Sequence, residues 1–138
     1  MPSRIVDAVE MSIRRESDIV DVRRKARAMA QGHGFDAFAA TALTTAASEL
    51  ARNVWVHAKG GVAKIELVED GARTGVRLTF RDEGPGIPDL ERVLAGGFST
   101  VRSLGLGLSG TQRLVDEFAI ETKPGGGTVV VIVKWTRP

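Results

Sequence analysis

The chain has 138 residues, 43% of them hydrophobic and 26% charged, which suits one domain with a substantial core. A net charge of only +2 does not argue for nucleic acid, and five Phe, two Trp and no Tyr supply no base-stacking platform. With no Cys and only His33 and His57, disulfides, thiolate sites and His-rich metal sites are excluded.

Val9, Met11 and Ile13 alternate with Glu10, Ser12 and Arg14, so residues 5 to 14 are expected to form a half-buried strand. Ser17 suits the N-cap of a helix from Asp18 to about Gln31, with Ile19, Val22, Ala26, Met29 and Ala30 as its buried stripe and Gly32 as its stop. The basic run Arg23-Arg24-Lys25 with Arg27 falls on the solvated face of that helix. Asp36 can cap a second, longer helix that ends at Lys59-Gly60-Gly61.

Val62 to Glu69 and Val76 to Arg81 are two alternating strands, joined through Asp70-Gly71-Ala72-Arg73-Thr74-Gly75. A short helix from about Asp89 to Ala95, a Gly/Ser/Thr-rich loop and a helix from about Leu108 to Phe118 come next. Ile120 to Thr122 and Thr128 to Trp135 then make a second hairpin across Pro124-Gly125-Gly126-Gly127. The last strand, apolar on both faces through Val129 to Val133, should be central or covered on both sides. The expected architecture is α+β: a two-layer sandwich, with a mixed, mostly antiparallel sheet and helices on one face. No apolar run approaches ~20 residues and Met1-Pro2-Ser3-Arg4 does not open a signal peptide, so a cytoplasmic protein is expected.

Three stretches carry chemistry. In the long helix, Leu43, Ala46, Ala47, Leu50 and Val54 form the apolar stripe. Glu49 and Asn53, four apart, stack at its edge. On its own this pair also describes a plain solvated face. Directly after a strand comes Asp82-Glu83-Gly84-Pro85-Gly86-Ile87-Pro88. Its glycines let a ligand approach the backbone, its acceptor-only Asp82 suits the exocyclic amine of adenine and repels the carbonyl of guanine, and Ile87 offers an apolar wall. Taken singly the string is also an ordinary Gly/Pro turn. The third stretch, Ser103-Leu104-Gly105-Leu106-Gly107-Leu108-Ser109-Gly110, runs into a helix whose free amides and dipole welcome an anion such as a triphosphate. Its G-x-G-x-x-G string does not follow a strand directly, so it fails the Rossmann context, and it lacks P-loop spacing.

In that order, Glu49-Leu50-Ala51-Arg52-Asn53, Asp82-Glu83-Gly84-Pro85-Gly86-Ile87 and Leu104-Gly105-Leu106-Gly107-Leu108 resemble the N, G1 and G2 boxes of the GHKL superfamily, whose ATP-binding unit is the Bergerat fold. DNA gyrase, histidine kinases, MutL and the ninety-kilodalton heat-shock chaperone share it. Within it, the N box, Gly97-Phe98-Ser99-Thr100, Arg113-Leu114-Val115-Asp116-Glu117-Phe118 and Gly127-Thr128-Val129 resemble the RsbT-type switch serine-protein kinases of the bacterial stressosome. The SpoIIAB and RsbW anti-sigma-factor kinases come next. Leu106, larger than its RsbT counterpart, and Val101-Arg102 depart from the pattern around the lid.

The resemblance implies that residues 1–138 form a single GHKL-type ATP-binding kinase domain. It implies Asn53 as the Mg²⁺ ligand and Glu49 as the general base. Asp82 becomes the adenine reader, assisted by Thr128 through a water, and Gly84, Gly86 and Ile87 shape the pocket. Gly105, Leu106, Gly107 and Leu108 hold the phosphates, and residues from about 96 to 103 form a short ATP lid. Arg52 is either a phosphate contact or a salt-bridge partner, and His57 a packing residue at the helix end. ATP and Mg²⁺ are the implied cofactors.

The implied activity is a serine/threonine-protein kinase acting on STAS-domain antagonist or scaffold proteins and, once released, activating a PP2C-type phosphatase. The alternative is an anti-sigma factor that sequesters a sigma subunit in a nucleotide-dependent way; a retained Glu49 favours the kinase. A histidine kinase would also need a dimerisation helix and a phospho-accepting His, and a gyrase-type ATPase a second domain supplying a lysine. No nucleic-acid or membrane partner is expected, and the chain is expected to be a monomer or a homodimer.

Overall fold

The computed structural model describes residues 4–95 and 107–136. Among the described residues nine elements follow in order: β1 (Arg4–Ile13), α1 (Asp18–Ala30), α2 (Ala37–Ala58), β2 (Gly61–Asp70), β3 (Arg73–Asp82), α3 (Leu90–Ala95), α4 (Gly107–Leu114), β4 (Glu117–Lys123) and β5 (Gly127–Trp135). The five strands form one sheet in the order β1-β2-β3-β5-β4, and every pairing is antiparallel. The expected α+β sandwich is present, and its sheet is antiparallel throughout.

Alternation along the strands sorts the two faces. Val76, Leu78 and Phe80 of β3 bury in one cluster with Ile65 of β2, Ile132 of β5, Val22 and Ala26 of α1, and Leu43, Leu50 and Val54 of α2. The helices therefore cover this inner face. The outer face has its own small cluster of Val68, Val133 and Trp135, which contains no helical residue. There Glu66 is only 2% exposed and is paired with Arg77 at 2.8 Å and Lys64 at 3.7 Å. The Arg77 hydrogen bond outweighs the cost of burial and holds the Glu66 carboxyl below the usual carboxylate range.

α2 starts where Asp36 accepts a hydrogen bond from the Ala39 amide at 2.7 Å, and it stops where Lys59 turns left-handed at φ 63°. Both ends match the sequence. Four details differ from expectation. Ser17 sits at the α1 N-cap position without a side-chain cap bond; instead the Asp18 carboxylate accepts from the Arg14 and Arg15 amides. The β2–β3 turn is only Gly71-Ala72, because Thr74 and Gly75 join β3 opposite Glu69 and Val68. Gly75 lies under the Trp135 ring, where an added Cβ would come within 2.6 Å of it, so its glycine marks a close approach and not a turn. Finally, α4 ends at Leu114, and Phe118 lies in β4, opposite Ile132, where pairing buries it against the core.

Candidate functional site

The site is built around the C-terminal half of α2. Leu50 and Val54 are buried and hold the helix on the sheet, leaving Glu49 and Asn53 half-buried at the edge, one turn or about 6 Å apart along the axis. Val54 fixes where that edge lies. An added Cβ at Gly61 would come within 2.8 Å of Val54 Cγ1 and 3.2 Å of Asp82 Cβ. Gly61 and Asp82 are register partners at the end of the β2–β3 pair. The helix edge and the end of β3 therefore meet across a residue that has to be glycine.

Asp82 continues the inner-face row of Val76, Leu78 and Phe80, so its side chain points toward the helix layer. Its Oδ1 accepts the Gly84 amide at 2.9 Å, which leaves further acceptor capacity on a half-buried carboxylate. Thr128 is its register partner on β5 and shares that face. Ile87 packs against the core beside them. An added Cβ at Gly84 would meet Ala58 of α2 at 2.6 Å, and one at Gly86 would collide with the Lys123 carbonyl. Both glycines thus allow close packing of the loop after β3, and Gly86 also has a φ of +81°.

Asn53 Oδ1 is buried and has no hydrogen-bond partner among the described residues. An unpaired buried carbonyl costs on the order of 1–3 kcal/mol. A hydrogen-bond donor such as water, or a hard cation, satisfies such an oxygen. The residues therefore fit a Mg²⁺ held mainly by its substrate and waters, with one protein side chain as ligand.

α4 packs on α2, anchored by buried Leu108 and Thr111; the Thr111 hydroxyl donates to the Gly107 carbonyl at 2.8 Å. Gly107, with φ +67°, opens the helix. Gly105, Leu106 and the expected lid from 96 to 103 lie outside the described residues. Arg52 is exposed, with no ion-pair partner among the described residues, so no salt bridge supports that alternative for it. His57 is also exposed, which corrects its assignment as a packing residue: it projects from the last turn of α2 away from the core.

One contributor went unnoticed in the sequence. The β4–β5 turn braces the loop after β3: the Gly125 amide donates to the Pro85 carbonyl at 2.7 Å, and the Ile87 amide to Thr122 Oγ1 at 2.8 Å. Thr122 lies opposite Thr128, their hydroxyls 3.0 Å apart. The available signal was the hairpin itself, whose strand ends place these two threonines side by side.

A family model described as "Histidine kinase-, DNA gyrase B-, and HSP90-like ATPase" matches residues 39–137. The serine/threonine-protein kinase RsbT of Bacillus subtilis is 43% identical over 122 residues, 88% of this chain and 92% of that protein. The anti-sigma F factor of Geobacillus stearothermophilus is 34% identical over 102 residues, 68% of each chain. That of Thermoanaerobacter sp. is 31% identical over 99 residues, 67% of this chain and 68% of its own.

Proposed function

This chain belongs to the histidine kinase-, DNA gyrase B-, and HSP90-like ATPase family, and we propose that within it the chain is an ATP-dependent serine/threonine-protein kinase of a bacterial partner-switching system. Its substrates are Ser or Thr hydroxyls on STAS-domain antagonist or scaffold proteins, and once released it activates a PP2C-type phosphatase. The observation that carries this reading is the pairing, on one edge of α2, of a half-buried carboxylate with the orphaned Oδ1 of Asn53 one turn away. The likeness to RsbT across most of both chains supports it.

In this reading Asp82 accepts the exocyclic amine of adenine, while Ile87 and the backbone around Gly84 and Gly86 enclose the ring. Thr128 adds a hydroxyl to the same edge. Gly107 and Leu108, with Gly105 and Leu106, present amides to the phosphates. Asn53 Oδ1 would hold Mg²⁺, which when bound offsets the charge of the triphosphate. Glu49 orients the acceptor hydroxyl and takes its proton as the oxygen bonds to the γ-phosphorus and ADP leaves. The test is direct: the chain, Mg-ATP and a STAS-domain partner should yield phosphoserine or phosphothreonine on the partner, located by mass spectrometry. No phosphate transfer to any such partner, with nucleotide still bound, would falsify the kinase assignment.

A second reading is favoured by the anti-sigma F factor relatives. In it the chain captures a sigma subunit and uses ATP chiefly to set its shape. Gel filtration with the sigma subunits of the host, with and without Mg-ATP, separates the two.

A further inference from the structure

An antiparallel sheet with one face open to water carries polar residues on that face. The outer face follows the rule on β2, with Lys64 and Glu66, on β3, with Arg77, Thr79 and Arg81, and on β4, with Glu117 and Glu121. On β5 it does not: the outward residues are Val129, Val131, Val133 and Trp135. Val133 and Trp135 are covered within the chain, clustered with Val68, and Arg73 stacks 4.0 Å from the indole centroid. Val129 and Val131 remain half-exposed, and no described helix covers them. The pattern that places β5 under cover on both sides is therefore met on one side only. We propose that a second copy of this chain supplies the other cover, the outer faces of two sheets packing about a two-fold axis that runs along β5.

The charges select that axis. Register sets Arg81, Val129 and Glu121 in one row, Thr79, Val131 and Ala119 in the next, and Arg77, Val133 and Glu117 in a third. The apolar stripe of β5 thus runs between a cationic column on β3 and an anionic column on β4. Two packed sheets lie about 10 Å apart with their strands nearly aligned. A two-fold axis along β5 lays β5 on its own copy and β3 on the partner's β4. Arg81 then faces the partner's Glu121, Thr79 the partner's Ala119, and Arg77 the partner's Glu117. An axis across the strands would instead lay β3 on β3 and set Arg81 against the partner's Arg77, a like-charge contact that disfavours it.

Arg81 and Glu121 are exposed and make no ion pair among the described residues. Arg77 and Glu117 are already engaged, with Glu66 at 2.8 Å and with the Trp135 indole N–H at 2.6 Å. The match therefore turns on Arg81 and Glu121, which the axis pairs twice. A cavity of about 450 Å³ over β2 and β3, with Lys64, Arg77, Thr79 and Arg81 in its lining, lies where the partner's β4 would settle. Three strands about 4.8 Å apart and nine residues long at about 3.3 Å each give a plan area of roughly 400 Å² per copy. That is the small end of specific interfaces, so the dimer is a reversible one that concentration and salt control.

Sedimentation equilibrium on the full chain over a range of concentrations tests the proposal without nucleotide or any other partner. The wild type should show a monomer–dimer equilibrium that weakens as salt rises. Arg81→Glu and Glu121→Arg should each raise the dimer dissociation constant by about tenfold or more, since each sets two like-charge contacts across the axis. The double variant R81E/E121R should return to the wild-type constant within about threefold, because it exchanges the charges and keeps their match. An equimolar mixture of the two single variants should form a heterodimer, as each supplies what the other lacks. Urea unfolding should leave both exposed substitutions near wild-type stability, and a variant that fails to fold gives way to Arg81→Ala or Glu121→Ala, which should weaken the dimer less but in the same direction. A wild type that stays monomeric at every concentration overturns the proposal. So does a dimer that both single reversals leave intact, which places the interface elsewhere, or a double variant no better than the singles.

Discussion

Three side chains carry the proposed chemistry, and each leaves a different signature. Asp82 reads the nucleobase, so Mg-ATP and Mg-ADP should bind and GTP should not. Asp82→Asn should cost roughly 1–3 kcal/mol of binding, the scale of a lost charge-assisted bond and a stranded partner. Competition against a fluorescent nucleotide measures both, and equal affinity for GTP would remove Asp82 from the role. Glu49→Gln should keep nucleotide affinity while lowering phosphoryl transfer by about 10²–10⁴-fold, the range for loss of a general base. Asn53→Ala should lower the Mg²⁺-dependent part of nucleotide affinity together with the rate. A Glu49→Gln variant that transfers phosphate at the wild-type rate would return Glu49 to an ordinary helix face.

At the scale of elements, α2 organises the site and its ends are separable from its chemistry. Removing the cap with Asp36→Ala should lower stability by about 1 kcal/mol in urea unfolding while leaving nucleotide affinity intact, because Asp36 is several turns from Asn53. Gly86→Ala should do the reverse. Its φ of +81° and the approach of the Lys123 carbonyl force the loop away from the β4–β5 turn, so nucleotide affinity should fall more than stability. Most of this frame was legible in the sequence, since a 22-residue helix with a clear apolar stripe, an Asp cap and a glycine stop allows few other structures. The misses have local causes. Gly75 looks like a turn glycine until Trp135, sixty residues later, is found over it. Phe118 continues a helical pattern until pairing with Ile132 draws it into β4. Thr122 carries no motif, and only the fold sets it against Ile87 and Thr128.

At the scale of the whole molecule, the helix-covered face of the sheet carries both the main core and the candidate site, and the other face carries a buried ion pair. The outer face holds Glu66 against Arg77. The folded carboxyl titrates lower than the unfolded one, so its contribution is present above the unfolded carboxylate value and is lost as pH falls through the folded value. Arg77→Met should therefore destabilise the protein by about 1–3 kcal/mol at neutral pH and flatten the acid limb of its stability curve below about pH 5. Urea titrations at pH 7 and pH 4 check both. We propose that STAS partner and phosphatase compete for the Glu49 edge of α2. Transfer of phosphate from Mg-ATP to a STAS-domain partner, comparing wild type with Glu49→Gln at equal nucleotide occupancy, tests the central claim most directly. Phosphorylation by the wild type that falls at least a hundredfold in the variant is the predicted result. Equal rates, or no transfer by either protein while both bind nucleotide, would contradict it.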